Sequence, residues 1–242
     1  MSELLTREDL EKRLRAIGDK RYHDKHPFHK LLHGGDATKD QVRAWVLNRY
    51  CYQSAIPRKD ACILSKSEDP EFRREWRRRI EDHDGSEDKE GGIQRWIVLA
   101  ESVGLDRDYV TSMEGALPIS KIATEAYVHF VRDHSLLEGV ASSLTELFAP
   151  SIHRERIAGL LEHYDFANDI TLAYFKKRLD QAPRDVAFGL AWVLDNANTI
   201  ERQQAVIAAL YFKCDVLWAQ LDSLYYSYVN PGFIPPGAFD PG

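Results

Sequence analysis

Four small sets of polar side chains recur at helical offsets in this 242-residue sequence. Arg49, Tyr52 and Gln53 stand at i, i+3 and i+4. Arg79 and His83 are four residues apart, Tyr174 and Arg178 are again four apart, and His153 precedes Arg156 by three. Those offsets nearly superpose around a helix axis, so each set shares one face. Lys213 lies between Phe212 and Cys214 in an otherwise apolar stretch. One such pair is ordinarily a surface feature. Several of them, on segments dense in Leu, Ile, Trp and Tyr, pose a different problem, because burying an unpaired cation is costly. If these faces converge inward, an anionic ligand is the natural compensation. The spacing then points to a small acid with several carboxylates, held by arginine forks, with histidine and tyrosine beside it as acid/base groups.

Other patterns carry less. His23, His26, His29 and His33 follow one another at three, three and four residues, but Lys25, Pro27 and Lys30 interrupt them and no carboxylate or thiolate set completes a metal site. They read as loop and helix-start histidines. The run Arg73, Arg74, Arg77, Arg78, Arg79 is interleaved with Glu71, Glu75, Glu81 and Asp82, so most of it pairs locally on a solvated face. Arg79, sharing a face with His83, is the exception. There is no GxxxxGK[ST] phosphate loop, no GxGxxG, no GxSxG elbow and no Glu-x-x-His spacing of the di-iron type.

The elements that must position these side chains are helical nearly throughout. Thr6 with Asp9, and Thr38 with Gln41, read as helix starts, and Asp69-Pro70 supplies an N-cap with proline at the first helical position. Periodicity predicts further helices over about 93–103, 106–114, 119–134, 136–148, 151–163, 167–181, 184–196 and 199–228. Pro57 is expected to kink or divide the second long helix, and Pro118, Pro150 and Pro183 to separate later ones. No alternating run is long enough for a strand. The chain reads as one all-α bundle domain over 1–229, followed by a Pro/Gly-rich tail over 230–242 that is expected to be mobile, either a frayed end or a tether to a further domain. With 44% hydrophobic residues a substantial core is available, which excludes disorder for most of the chain. The formal net charge of −6 argues against general nucleic-acid binding. Cys51, Cys62 and Cys214 are an odd count without CxxC spacing, and neither a signal peptide nor a membrane-spanning run is apparent, so the expected setting is cytoplasmic.

Longer strings add a resemblance. Asp82-His83-Asp84-Gly85-Ser86, Gly91-Gly92-Ile93 with Trp96, Ser142 through Pro150, Tyr174-Phe175 with Arg178-Leu179, Arg184-Asp185-Val186, and Phe212-Lys213 with Leu217-Trp218 closely resemble the pyrroloquinoline quinone synthase family. Gly34-Gly35-Asp36-Ala37-Thr38 and Asn48-Arg49 with Tyr52-Gln53 fit as well, and the likeness covers about residues 8 to 228. It implies a compact bundle of about seven main helices with a heme-oxygenase-like fold, acting as a homodimer. The implied reaction is the last step of quinone cofactor synthesis: a reduced bicyclic precursor is ring-closed and oxidised by O2, releasing hydrogen peroxide, with neither metal nor organic redox cofactor.

Carried over position by position, the resemblance makes His83 and His153 the acid/base histidines and sets Tyr174 and Arg178 beside the place where O2 is handled. It makes Arg49, Arg79, Arg156 and Lys213 the partners of carboxylates and quinone oxygens. Tyr22, His23, Gln53, Tyr127, Thr145 and Glu146 complete the hydrogen-bonding wall. It also implies, for some relatives, a small peptide-binding domain after the tail. The loop Asp82 to Gly92 and the helix near Tyr127 and His134 are expected to close over the ligand. Two other classes stay open at this point: a metal-dependent oxidase of the same superfamily, and a non-catalytic carrier of the quinone or its precursor.

Overall fold

A computed structural model describes residues 3–242; residues 1 and 2, the start of the expected bundle domain, lie outside the described residues. Eleven α-helices account for nearly all regular structure among the described residues. Seven have fifteen residues or more: α1 (Arg7–Arg21), α3 (Lys39–Leu64), α4 (Pro70–Asp84), α7 (Pro118–Asp133), α9 (Ala149–His163), α10 (Ala173–Asn196) and α11 (Ile200–Tyr228). The shorter four are α2 (Pro27–His33), α5 (Gly92–Ser102), α6 (Arg107–Ser112) and α8 (Leu136–Ser142). The all-α class read from the sequence is therefore found, and seven long helices match the about seven main ones that the resemblance implies. The short helices connect them, together with 3-10 turns at His23–Lys25 and Ser143–Leu147 and a hairpin of β1 (Gly85–Ser86) and β2 (Lys89–Glu90).

The helix starts follow from their caps. The Thr6 hydroxyl accepts from Asp9 N, Thr38 and Gln41 close a reciprocal capping box, and Asp69 caps α4 with Pro70 behind it. Two expected divisions are not found. Pro57 does not divide α3, and α10 runs unbroken through Pro183, where two helices were expected. An internal proline costs a helix roughly 3 kcal/mol. Here long flanks packed on neighbours outweigh it, since buried residues of α3 extend from Val42 to Ile63 and those of α10 from Tyr174 to Val193.

α3 is buried nearly all round, polar Asn48, Gln53, Lys59 and Asp60 included, the mark of a central helix. It lies against α4 and α7, while α11 packs along α7 and α8. Two apolar clusters result. One gathers Leu10, Leu14, Trp76, Val131, Val140 and Leu210 among others. The second holds Phe28, Trp45, Trp96, Leu99 and Phe175. The candidate site lies where the clusters meet, for its wall includes Tyr22 and Leu217 from the first and Tyr174 from the second.

The tail is non-helical, as its composition requires, yet it does not hang free. Phe239 N donates to Gly115 O at 2.8 Å, the Tyr228 hydroxyl donates to Phe239 O at 2.7 Å, and Ala238 and Phe239 pack on the second cluster. The expectation of a mobile tail is corrected by these contacts. No helix among the described residues is long and apolar enough to cross a membrane.

Candidate active site

Each wall of the central cavity is one helical face. α3 supplies Arg49, Tyr52, Gln53 and, a turn later, Ile56; α9 supplies Ile152, His153 and Arg156; α10 supplies Tyr174 and Arg178. His83 arrives from the last turn of α4, Leu217 from α11, and Thr145 with Glu146 from the 3-10 turn before α9. Tyr22 and His23 come from the bend after α1. The enclosed space is about 60 Å³, room for a few waters, so a ring system bearing carboxylates requires its walls to move apart. Of the fourteen site residues expected from the sequence, eleven line this cavity, and Arg79, Tyr127 and Lys213 stand in the layer behind.

Behind the cavity the charges are already balanced by protein. Arg79 grips both oxygens of Glu146 at 2.7 and 2.8 Å, and Arg178 adds a bond to Glu146 Oε1 at 3.1 Å. Asp185 Oδ2 lies 3.4 Å from both guanidiniums, and Asp60 Oδ1 lies 3.5 Å from Arg79 Nε and 2.5 Å from Lys59 Nζ. Burial alone would raise the Glu146 carboxyl, but Arg79 and Arg178 outweigh it and hold it down at about 2. Asp185 is raised by burial and by Glu146, against the pull of Arg79 and Arg178. Arg79 was expected among the ligand's partners; in the structure its partners are protein carboxylates, and it lies over the Trp76 ring at 4.6 Å.

Arg49 and Arg156 differ. Neither makes an ion pair with a carboxylate among the described residues. Arg49 sits over the Tyr52 ring at 4.1 Å, and Arg156 faces the rings of Trp45 and Phe175 at 5.4 and 5.3 Å while its Nε donates to His33 Nε2 at 3.2 Å. Burial and then the charge of Arg49 lower Arg156 to about 10. Two cations that repel each other from two walls of one cavity call for an anion.

The histidines face these cations as neutral bases. His83 Nδ1 donates to Arg79 O at 2.9 Å, which leaves the lone pair on Nε2 free. Burial and then Arg178 lower His83 to about 4. His153 is held well below the usual histidine range by burial, then by Arg156 and Arg178; His23 is lowered in the same way, by burial and then Arg49. The hairpin fixes His83 from behind. A Cβ at Gly91 would stand 2.2 Å from His83 O and 2.4 Å from Gly85 N, so only glycine permits that approach.

The Tyr174 hydroxyl donates to Gln53 Oε1 at 2.7 Å, and burial raises its phenol against Arg178 and Arg49, keeping it a proton donor. Lys213 Nζ donates to the Tyr52 hydroxyl at 2.5 Å from between the rings of Tyr127 and Tyr52, 3.7 and 3.9 Å away. Burial, then Arg49 and Lys59, push the Lys213 amine well below the usual lysine range. Tyr52 is thus a wall residue that the sequence-based set omitted, although its i+3 spacing from Arg49 was the signal. His33 was missed as the partner of Arg156. It is brought there because a Cβ at Gly159 would lie 2.4 Å from His33 O, so that α9 can press against the end of α2.

Residues 11–223 match the TENA/THI-4/PQQC family. The chain belongs to that family. Within it, a protein of Ruegeria pomeroyi named pyrroloquinoline-quinone synthase is 64% identical over 98% of this chain and 98% of its own. One of Rhizobium rhizogenes with the same name is 63% identical over 99% of this chain and 97% of its own. A longer protein of Methylorubrum extorquens, named bifunctional coenzyme PQQ synthesis protein C/D, is 58% identical over 99% of this chain, which spans 64% of that relative. Among solved structures, a domain with a heme oxygenase-like fold from Shewanella denitrificans superposes with a TM-score of 0.77 over 98% of this chain and all of that one, at 14% identity. A TenA homologue from P. horikoshii gives 0.70 over 92% of this chain and 99% of its own, at 16%. These neighbours establish the heme-oxygenase-like fold of the TENA/THI-4/PQQC family for this chain.

Proposed function

We propose that this protein performs the last step of pyrroloquinoline quinone biosynthesis, closing the ring of a reduced bicyclic polycarboxylate and oxidising it with O2, with hydrogen peroxide as second product. The observation that carries this reading is the pair Arg49 and Arg156, cations without carboxylate partners among the described residues, on the walls of a cavity that also holds three neutral histidines. High identity along the whole chain to relatives named pyrroloquinoline-quinone synthase supports the same substrate class.

In this reading Arg49 and Arg156 take the ligand's carboxylates, and its arrival offsets their mutual repulsion. His83 Nε2 accepts a ring proton, and His153 serves as second acid/base group. Each two-electron oxidation removes two hydrogens from the ring system and delivers two electrons and two protons to O2 as one H2O2. Arg178 places fixed positive charge where the reduced oxygen gains negative charge, and Tyr174 donates a hydrogen bond to it. The ion pairs of Glu146 and Asp185 hold Arg178 in position. The reading includes no metal or organic cofactor, and the pairing of Glu146 and Asp185 with guanidiniums, which leaves those carboxylates already engaged, supports it. A homodimer, a cytoplasmic setting and association with a small peptide-binding domain of the same pathway belong to this proposal.

The test is to mix the reduced precursor with the protein under air. Quinone absorbance should appear together with peroxide, at a rate unchanged by chelator. Precursor that is bound but never oxidised would leave only a carrier.

A further inference from the structure

Beyond Arg156 lies a second, smaller chamber that the reaction above does not use. His23, Arg49 and Arg156 line both it and the central cavity, and His29 and His33 join them there among apolar side chains that include Trp45 and Phe28. Its volume is about 10 Å³, the space of one water. The His23 and His29 rings are 5.8 Å apart between centroids, and those of His29 and His33 are 4.2 Å apart. All three are more than nine-tenths buried. His23 Nδ1, His29 Nε2 and His33 Nδ1 are fully buried without a hydrogen-bond partner among the described residues. On the far side, His29 Nε2 stands 3.7 Å from Glu155 Oε1, whose side chain is 57% exposed.

We propose that this histidine cluster is a proton conduit between the central cavity and solvent, running from His23 through one ordered water to His29 and out at Glu155. The inference rests on the proposed oxidation, which passes protons between substrate, histidines and reduced O2 in a cavity that must exclude bulk water.

His29 Nε2 faces Glu155, which leaves His23 Nδ1 and His33 Nδ1 buried and unpaired at the chamber, where apolar side chains serving packing alone would leave no such groups. A bridging water satisfies them and links the rings. A metal is a poor occupant, because Arg156 donates to His33 and brings its charge into the cluster. The chemistry is proton transfer only. A protonated His23 passes its proton to the water, the water passes one of its own to His29 Nδ1, and His29 releases its Nε2 proton to the Glu155 carboxylate, which gives a proton to solvent. No electron moves. His29 is lowered to about 2 by burial, then by Arg156, Lys25 and His26, so it carries a proton only in passing. Ligand carboxylates beside Arg156 relieve part of that penalty when the conduit is in use.

The probe is pyrroloquinoline quinone mixed with protein in weak buffer holding a pH indicator, with binding and proton uptake followed separately. Glu155→Gln alters an exposed residue that leaves the bundle intact, His29→Gln keeps a hydrogen-bonding side chain, and Glu162→Gln on the same helix is the control. Both conduit variants should bind with wild-type affinity and take up as many protons, but with uptake at least tenfold slower than binding, while the control keeps pace with wild type. Under turnover the same two variants should show a raised solvent isotope effect on peroxide release. Uptake that coincides with binding in both variants would overturn the conduit. Wild-type protein that binds no quinone would overturn the proposed function and the conduit with it.

Discussion

The Tyr174 hydroxyl reaches across the cavity to Gln53 Oε1 at 2.7 Å, joining the helix Ala173–Asn196 to the central helix Lys39–Leu64. That bond spends the phenolic proton on a neutral amide acceptor, so an incoming oxygen species competes with Gln53 for it. A small swing of the hydroxyl then replaces one partner by the other without exposing a buried donor.

Tyr174→Phe removes that donor and leaves Gln53 Oε1 short of a partner, at a cost of about 1–3 kcal/mol in stability. Product binding should persist, because Arg49 and Arg156 are untouched. Oxidation should stall, with a partly oxidised quinoid or quinol accumulating when oxygen is added to an anaerobic mixture. Arg178→Ala should stall at the same stage and lose more stability, since it also strips a partner from Glu146 and Asp185. Wild-type oxygen consumption by both variants would remove the pair from oxygen chemistry.

Arg156→Ala should weaken quinone binding by about 1.5–3 kcal/mol, the range for hydrogen bonds to a charged group. Its melting temperature should hold or rise, because a buried cation without a carboxylate partner has been removed. Titration and thermal melts on the same sample separate these effects.

Arg79→Ala should behave in the opposite sense. It leaves Glu146 with only Arg178 and deprives Asp60 and Asp185 of a neighbouring cation, and breaking such a buried pair costs about 3–5 kcal/mol. Denaturant unfolding should register that loss in full. An Arg79→Ala protein of wild-type stability and weak ligand affinity would return Arg79 to the binding wall.

The histidines give the pH dependence its sign. His23, His83 and His153 all titrate lower in the folded protein than in the unfolded chain, where the value is about 6.5. The unfolded chain therefore binds more protons as pH falls. Their contribution to stability is complete above about pH 6.5 and is lost below it, by up to about 1.4 kcal/mol per pH unit for each histidine, until about pH 4 for His83. A bound polycarboxylate raises the same groups, so binding should take up protons and tighten from pH 8 to pH 6. Calorimetry in buffers of different ionisation heat measures that uptake.

Deleting the residues after Tyr228 should lower the melting temperature by several degrees, because the bonds of Phe239 to Gly115 and Tyr228 and its apolar packing go with them. An unchanged melting temperature would show those contacts to be energetically idle.

What the sequence disclosed about the site were the local relations. Offsets of three and four residues placed Arg49 with Gln53, His153 with Arg156 and Tyr174 with Arg178 on common faces, and those faces do converge. Caps such as Thr38 with Gln41 were equally legible, being contained within one turn. What stayed hidden were long-range charge partners. Arg79 and Arg156 look alike along the chain, and only folding brings Glu146, 67 residues away, onto one while leaving the other to a histidine. Lys213 was legible as a buried cation but not as one screened from the cavity by Tyr52. The prolines at 57 and 183 misled for the same reason: the packing that overrides them comes from distant segments.

The two populations of arginine have a consequence for how such a scaffold diversifies. Lys59, Arg79 and Arg178 are matched by Asp60, Glu146 and Asp185 into a neutral block that braces the bundle whatever lies in front of it. Arg49 and Arg156 stand outside that block, so the charge demanded of a ligand can be rewritten at two positions while the brace stays intact. A fold organised in this way can exchange an acidic substrate for a neutral or cationic one in a few substitutions, and its substrates are free to diverge faster than its architecture.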